Sequence, residues 1–161
     1  MLIGFGLIMG LIIIDQLTKY IAVLTLTEGF SNIIIPNLLR FQLVYNDGAS
    51  FGIFSGNQLF FSVVTVGALL IFGYFFTEID FKNKKVLSIA SVLLIAGTLG
   101  NAIDRLFIEK GVIDFINIPI IPLFATFNFA DMYLNFGIVL FIIDLLFLER
   151  KRTDEENSIS N

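Results

Sequence analysis

Residues 59–76 read LFFSVVTVGALLIFGYFF, eighteen positions without one charged side chain. As an α-helix rising about 1.5 Å per residue, this stretch is about 27 Å long, close to the roughly 30 Å hydrocarbon thickness of a bilayer. No water is available there for backbone N–H and C=O groups, and a helix satisfies them all within one segment. A helix of a water-soluble bundle keeps a polar outer face, and this one has none. The stretch predicts a membrane-spanning helix.

Three further segments repeat the pattern on either side: 2–24, interrupted by Asp15 and Lys19; 86–103; and 132–148. The 161-residue chain is 57% hydrophobic and 15% charged, against about 25% charge in soluble domains. The same composition excludes disorder, which needs low hydrophobicity and high charge. The first segment has no basic leader and no small-x-small cleavage site, so it reads as a retained span and not as a signal peptide. The expected fold is an all-α membrane protein of four transmembrane helices, at about 2–24, 59–76, 86–106 and 131–148. They form a single integral membrane domain over 1–150, followed by a disordered cytoplasmic tail over 151–161.

Between the first two helices, Ile33-Ile34-Ile35 and Leu39-Arg40-Phe41-Gln42-Leu43-Val44-Tyr45 have strand character, with a turn at Pro36-Asn37. A small extracytoplasmic β-sheet, a cradle over about 30–56, is expected at the outer membrane surface. Orientation follows from basic residues. Lys82, Lys84 and Lys85 lie in the 77–85 turn, and Arg150, Lys151 and Arg152 follow the fourth helix. Positive charge favours the cytoplasmic side, which places that turn and both termini inside and the segments 25–57 and 107–130 outside.

The chain contains no His and no Cys. That removes Ser-His-Asp and thiolate catalysis and conventional His or Cys metal sites. Acid–base chemistry near neutral pH then falls to carboxylates, Lys or Tyr with shifted pKa values. No metal or other cofactor is expected. A net charge of −4 argues against nucleic acid as a partner.

Charge inside a bilayer costs about 2.5–3.5 kcal/mol per residue on insertion scales, so each such residue is a functional suspect. The suspects are Asp15, Lys19, Asp104, Arg105, Asp114, Asp131 and Asp144. In the expected topology all but Asp144 gather at the outer ends of helices or in the outer connections. Asp15 and Lys19, four apart, share a helix face. They form either a structural pair with Lys19 reaching outward, or a contact to backbone or substrate. Asn46-Asp47-Gly48 carries a turn signal. Asn101, Asp104 and Arg105 close the third helix, after the small residues Gly97 and Gly100. Asp114 sits in an apolar run, and Asn128, Asp131 and Asn135 form one polar stripe at helical spacing. The loop Asn117-Ile118-Pro119-Ile120-Ile121-Pro122 would fold back, so that Asp114 and Asp131 face each other at the outer surface. The residues alone leave Asp131 open as a helix N-cap and Asp114 as a solvated loop residue. Held close, two carboxylates push their pKa values apart, so that one can accept a proton from water while the other donates to a leaving group. A small transporter and a non-enzymatic membrane scaffold are the rival classes. Transporter sites tend to lie at mid-bilayer on broken helices, whereas these polar residues collect at one face.

Five segments together resemble one family. They are Asp15-Gln16-Leu17-Thr18-Lys19, Tyr45-Asn46-Asp47-Gly48-Ala49-Ser50-Phe51, the run from Gly97 to Arg105, Val112-Ile113-Asp114-Phe115-Ile116, and Phe127-Asn128-Phe129-Ala130-Asp131. In order and spacing they are similar to the lipoprotein signal peptidases, the bacterial signal peptidase II family. The resemblance implies an intramembrane aspartyl endopeptidase of the bacterial cytoplasmic membrane, with its active site at the outer face. It removes the signal peptide of prolipoproteins carrying diacylglycerol, just before the lipidated cysteine. The catalytic pair it implies is Asp114 and Asp131. Asp15, Lys19, Asn46, Gly48, Asn101, Asp104, Arg105, Asn128 and Ala130 become substrate-binding or site-supporting residues. Its partners are lipidated prolipoproteins, membrane lipid and globomycin-type peptide antibiotics. Ser50, Thr98, Met132 and Tyr133 depart from the residues common in the family, and Asp144 matches no motif of it.

Overall fold

The computed structural model describes residues 1–48, 56–121 and 125–152. In chain order the elements are α1 (Leu2–Thr25), β1 (Ser31–Ile35), β2 (Leu39–Asn46), α2 (Gln58–Thr77), α3 (Lys85–Phe107), β3 (Val112–Asn117) and α4 (Phe129–Ile143). Five residues of π-helix, Asp144–Leu148, extend α4, and helix resumes through Arg152. The four helices are each long and apolar enough to cross a bilayer.

α3 is the hub. In its most apolar window 67% of residues are buried, against 11% in α2. The cause is in its sequence: Ala90, Ser91, Ala96, Gly97 and Gly100 have little side chain, so neighbouring helices approach closely. A Cβ on Gly97 would sit 2.6 Å from the Ala130 carbonyl oxygen, and one on Gly100 would sit 2.7 Å from Asp15 Oδ2. These two glycines set the distance of α3 from α4 and from α1. The large apolar side chains of α1, α2 and α4, such as Phe5, Leu17, Val63, Leu70 and Val139, point outward, as lipid-facing residues do.

The sheet differs from expectation in one respect. It has three antiparallel strands in the order β1-β2-β3, and the third comes from the connection between α3 and α4, not from 30–56. β3 is buried along its whole length, so its sequence lacks the alternation that marks a half-exposed strand. The β1–β2 turn falls where Pro36-Asn37 predicts it, with Asn37 at φ +59°, a left-handed conformation that Asn tolerates. Phe115 and Ile116 of β3 pack with Ala22 of α1, Phe41 of β2 and Phe129 of α4, seating the sheet on one end of the helices. After β3 the chain does fold back, since the Ile116 and Phe127 main chains exchange hydrogen bonds at 2.8 and 2.9 Å.

Two boundaries also move. α4 begins at Phe129 because Asn128 caps it. Lys151 and Arg152, assigned to the tail from the sequence, are helical; 153–161 lie outside the described residues, as do Ser50, Phe51 and the rest of 49–55. Asp144, which matched no motif, is buried and ion-paired to Arg152 at 2.6 Å. The wider π turn brings these two residues, eight apart, to one face.

Candidate active site

The polar residues at the sheet end form two connected layers. In the inner layer Lys19 is the centre. Its ammonium lies 2.9 Å from Asp15, 2.8 Å from Asp104 and 3.0 Å from Asn101 Oδ1. Three acceptors use its three N–H donors. Lys19 therefore does not reach outward to the interface; it is 1% exposed, and its two carboxylate partners 2% or less. Asp15 also accepts from the backbone N–H of Ala130 at 2.8 Å, which pins the first turn of α4 to α1. Asp104 accepts from the Ile113 N–H at 3.1 Å, which pins β3 to α3. Gln16 bridges both carboxylates and the Gly100 carbonyl, at 3.2, 3.0 and 3.1 Å. Sequence reasoning passed over Gln16 as a site residue, although it lies inside the first quoted segment.

The outer layer holds Asp114 and Asp131. On the paired strands Val44 faces Asp114 and Asn46 faces Val112, so Asn46 is the diagonal, same-face neighbour of Asp114. Its Nδ2 donates to Asp114 Oδ2 at 3.0 Å, while its own Oδ1 accepts from the Gly48 N–H at 3.1 Å. Asn128 Nδ2 donates to the other oxygen of Asp114 at 2.7 Å and reaches Asn101 Oδ1 at 3.1 Å. Asn128 is also the N-cap of α4, in a capping box with Asp131. Its Oδ1 accepts from the Asp131 N–H at 2.9 Å, and its N–H donates to Asp131 Oδ2 at 3.2 Å. Asp131 is thus the third residue of the helix and not its cap. Its second oxygen accepts from Asn101 Nδ2 at 2.7 Å.

Among the described residues each outer carboxylate accepts two hydrogen bonds, all from neutral amides. Such donors fix orientation without cancelling charge. The inner carboxylates are ion-paired to one buried cation; among the described residues the outer pair have no ion pair, and a cation they share beyond ion-pair distance is Arg105, which lines the same cleft. Burial and then the neighbouring Asp131 charge push the Asp114 pKa up to about 7, against the pull of Asn46, Asn128 and Lys19. Both carboxylates open on one cleft of about 900 Å³, walled by α2, α3 and α4. Arg105 lines it too, with its guanidinium 4.7 Å over the Phe61 ring. Among the described residues no group of three or more acidic side chains converges as a metal-binding cluster would.

Residues 7–147 match the signal peptidase II family. A lipoprotein signal peptidase of Staphylococcus aureus is 40% identical over 146 residues, 90% of this chain and 88% of that protein. The same enzyme from strain JH9 is 41% identical over 136 residues, 84% of this chain and 82% of its own. Two solved structures of a bacterial membrane enzyme superpose with TM-scores of 0.79 at 39% identity. They cover 89% of this chain, and 87% and 92% of their own. The chain belongs to the signal peptidase II family. It is a multi-pass membrane peptidase, and prolipoproteins are the substrates of its class.

Within that family frame, each site residue expected from the sequence is found at the sheet end of the bundle. Asp114, Asp131, Asn46, Gly48, Asn101 and Arg105 line the cleft. Asn128 lies directly behind it, and Asp15, Lys19, Asp104 and Ala130 form the layer beneath. Phe61, which stacks under Arg105 and walls the cleft, carried no signal in the sequence, being one aromatic among nineteen Phe.

Proposed function

We propose that Asp114 and Asp131 are the catalytic pair of this signal peptidase II, and that it cleaves diacylglyceryl-modified prolipoproteins just before the lipidated cysteine. One observation carries the reading: two carboxylates, held by neutral amides and linked through Asn128, face a single cleft between membrane helices. Asp114, with its pKa at about 7, bears the proton on the acid side of neutrality. Asp131 is the charged partner and takes a proton from water as the water oxygen bonds to the scissile carbonyl carbon. When the C–N bond breaks, the Asp114 proton passes to the departing amine. The water proton on Asp131 then resets the pair.

Remote binding does the positioning. Phe61, Val64, Ala68 and Phe72 of α2 recur every three or four residues along the cleft wall, facing Met132 and Phe136 of α4. This apolar slot accepts a signal helix and acyl chains, and it holds the scissile amide beside the carboxylates. The remaining supports act through position: Asp15, Lys19 and Asp104 tie α1, α3, β3 and α4 together, and Asn46 and Gly48 shape the cradle over Asp114. The membrane unit spans residues 1–150 of the cytoplasmic membrane of a bacterium. The sheet lies at its outer face, with Ile33, Ile34 and Ile35 resting on lipid, and both termini and the tail lie inside. A globomycin-type cyclic peptide is expected to compete for the cleft.

Cleavage of a lipidated prolipoprotein by the purified protein in lipid tests this reading. Loss of turnover in both Asp114→Asn and Asp131→Asn, with non-lipidated substrate left uncut, is the expected result. Full turnover in either variant defeats the catalytic assignment, and equal cleavage without the lipid defeats the substrate class. Labelling from outside of a cysteine placed at position 84 would reverse the topology.

A further inference from the structure

Asn135 lies one helical turn beyond Asp131 and lines the same cleft. Four residues at about 1.5 Å place it about 6 Å deeper into the membrane. Its Nδ2 donates to the Asp131 carbonyl oxygen at 2.9 Å. A side-chain amide has a second N–H and a carbonyl with two lone pairs, and among the described residues no partner meets these on Asn135. The cleft around it is mainly apolar, with Ala68 and Phe72 on α2 and Met132 and Phe136 on α4, and with Thr65 also on the α2 wall. Thr98, another polar group on the wall, already spends its hydroxyl on the Leu94 carbonyl at 2.7 Å. An open amide in such surroundings is costly unless the occupant brings hydrogen-bonding groups of its own.

A peptide bond offered for hydrolysis must leave its helix, which exposes main-chain N–H and C=O groups on its signal-peptide side. An extended chain advances about 3.3 Å per residue, so a 6 Å depth corresponds to about two residues. We infer that Asn135 is a positioning residue whose side-chain amide hydrogen-bonds the substrate main chain about two residues ahead of the scissile bond, setting that bond in register with Asp114 and Asp131. The inference rests on the reading of this cleft as the substrate channel.

The test uses a lipidated prolipoprotein peptide in which each main-chain N–H ahead of the cysteine is replaced in turn by an ester oxygen. Against the wild-type enzyme, one position near the second residue is expected to lower kcat/KM roughly 3- to 10-fold, the worth of one hydrogen bond. Asn135→Leu should lower kcat/KM on the all-amide peptide by a similar factor, with its pH profile unchanged, and should be indifferent to the ester at that one position. Asn135 is exposed and Leu is a good helix former, so the variant keeps its helix. A role confined to holding the Asp131 carbonyl would slow every substrate alike and move the pH profile. That result, or equal ester sensitivity in variant and wild type at every position, overturns the inference. Failure of the wild-type enzyme to cut the all-amide lipidated peptide overturns instead the channel reading beneath it, and shows before any variant is made.

Discussion

Replacing Asp114 by Asn keeps the shape of the side chain and removes its charge, and above neutral pH the consequences for stability and for turnover have opposite signs. The folded-state pKa of about 7 stands above the ordinary 3.8. Between those values the folded protein binds a proton that the unfolded chain releases. The contribution of Asp114 to wild-type stability is therefore fully present below about pH 4 and is lost as the pH rises through 7. At about 1.36 kcal/mol per pKa unit, the three-unit gap integrates to about 4 kcal/mol by pH 8. Asp114→Asn abolishes this loss. The new amide, however, turns an N–H toward either the Asn46 or the Asn128 donor, forfeiting one hydrogen bond of about 1 kcal/mol. The variant should thus be about 1 kcal/mol less stable than wild type at pH 4 and about 3 kcal/mol more stable at pH 8. Thermal unfolding in detergent micelles across pH 4 to 8 reads this directly, as two curves that cross. Turnover on lipidated substrate in the same preparation should fall by about 10²–10⁴, the usual worth of a positioned acid or base. Parallel melting curves over the whole range, or turnover within tenfold of wild type, would refute the reasoning.

Other outcomes follow from the same geometry. Asp131→Asn removes the charge that helps raise Asp114, so the Asp114 titration should move to lower pH; a carboxyl carbon resonance of Asp114 followed against pH checks the direction. Lys19→Met strands two buried carboxylates and should cost about 3–5 kcal/mol in thermal unfolding, partly restored when Asp104→Asn is added. Gly97→Ala drives a methyl into the Ala130 carbonyl and should cost about 1–3 kcal/mol together with much of the turnover, because Ala130 precedes Asp131. Gly67→Ala, where nothing lies within 4 Å, should leave both measurements unchanged or raise stability by up to about 1 kcal/mol.

The four spans were legible because their signal is local. A run such as 59–76 has no stable place except lipid, whatever the rest of the chain does. The turn at Pro36-Asn37 and the first two strands were legible for the same reason. β3 was not: Val112–Asn117 is covered on both faces, and its apolar run with one Asp fits a loop as well as a strand until β2 is beside it. Lys19 shows the limit from the other side. Its spacing from Asp15 was visible, but whether it turned outward depended on Asp104, which arrives from a different helix.

By itself the sequence determined the membrane class, the absence of imidazole and thiol, and the small set of carboxylates able to carry acid–base chemistry. What it left open was which of them would be neutralised. The tertiary structure decided that. Packing through Gly97 and Gly100 brings α1 and α3 close enough for Lys19 to lie between Asp15 and Asp104, so that their charge is spent within the bundle. The strand pairing of β3 and the capping box of α4 carry Asp114 and Asp131 beyond hydrogen-bond reach of that cation, where their donors among the described residues are neutral amides. Four acids of similar local sequence are thereby divided into two that hold the fold and two that face the cleft.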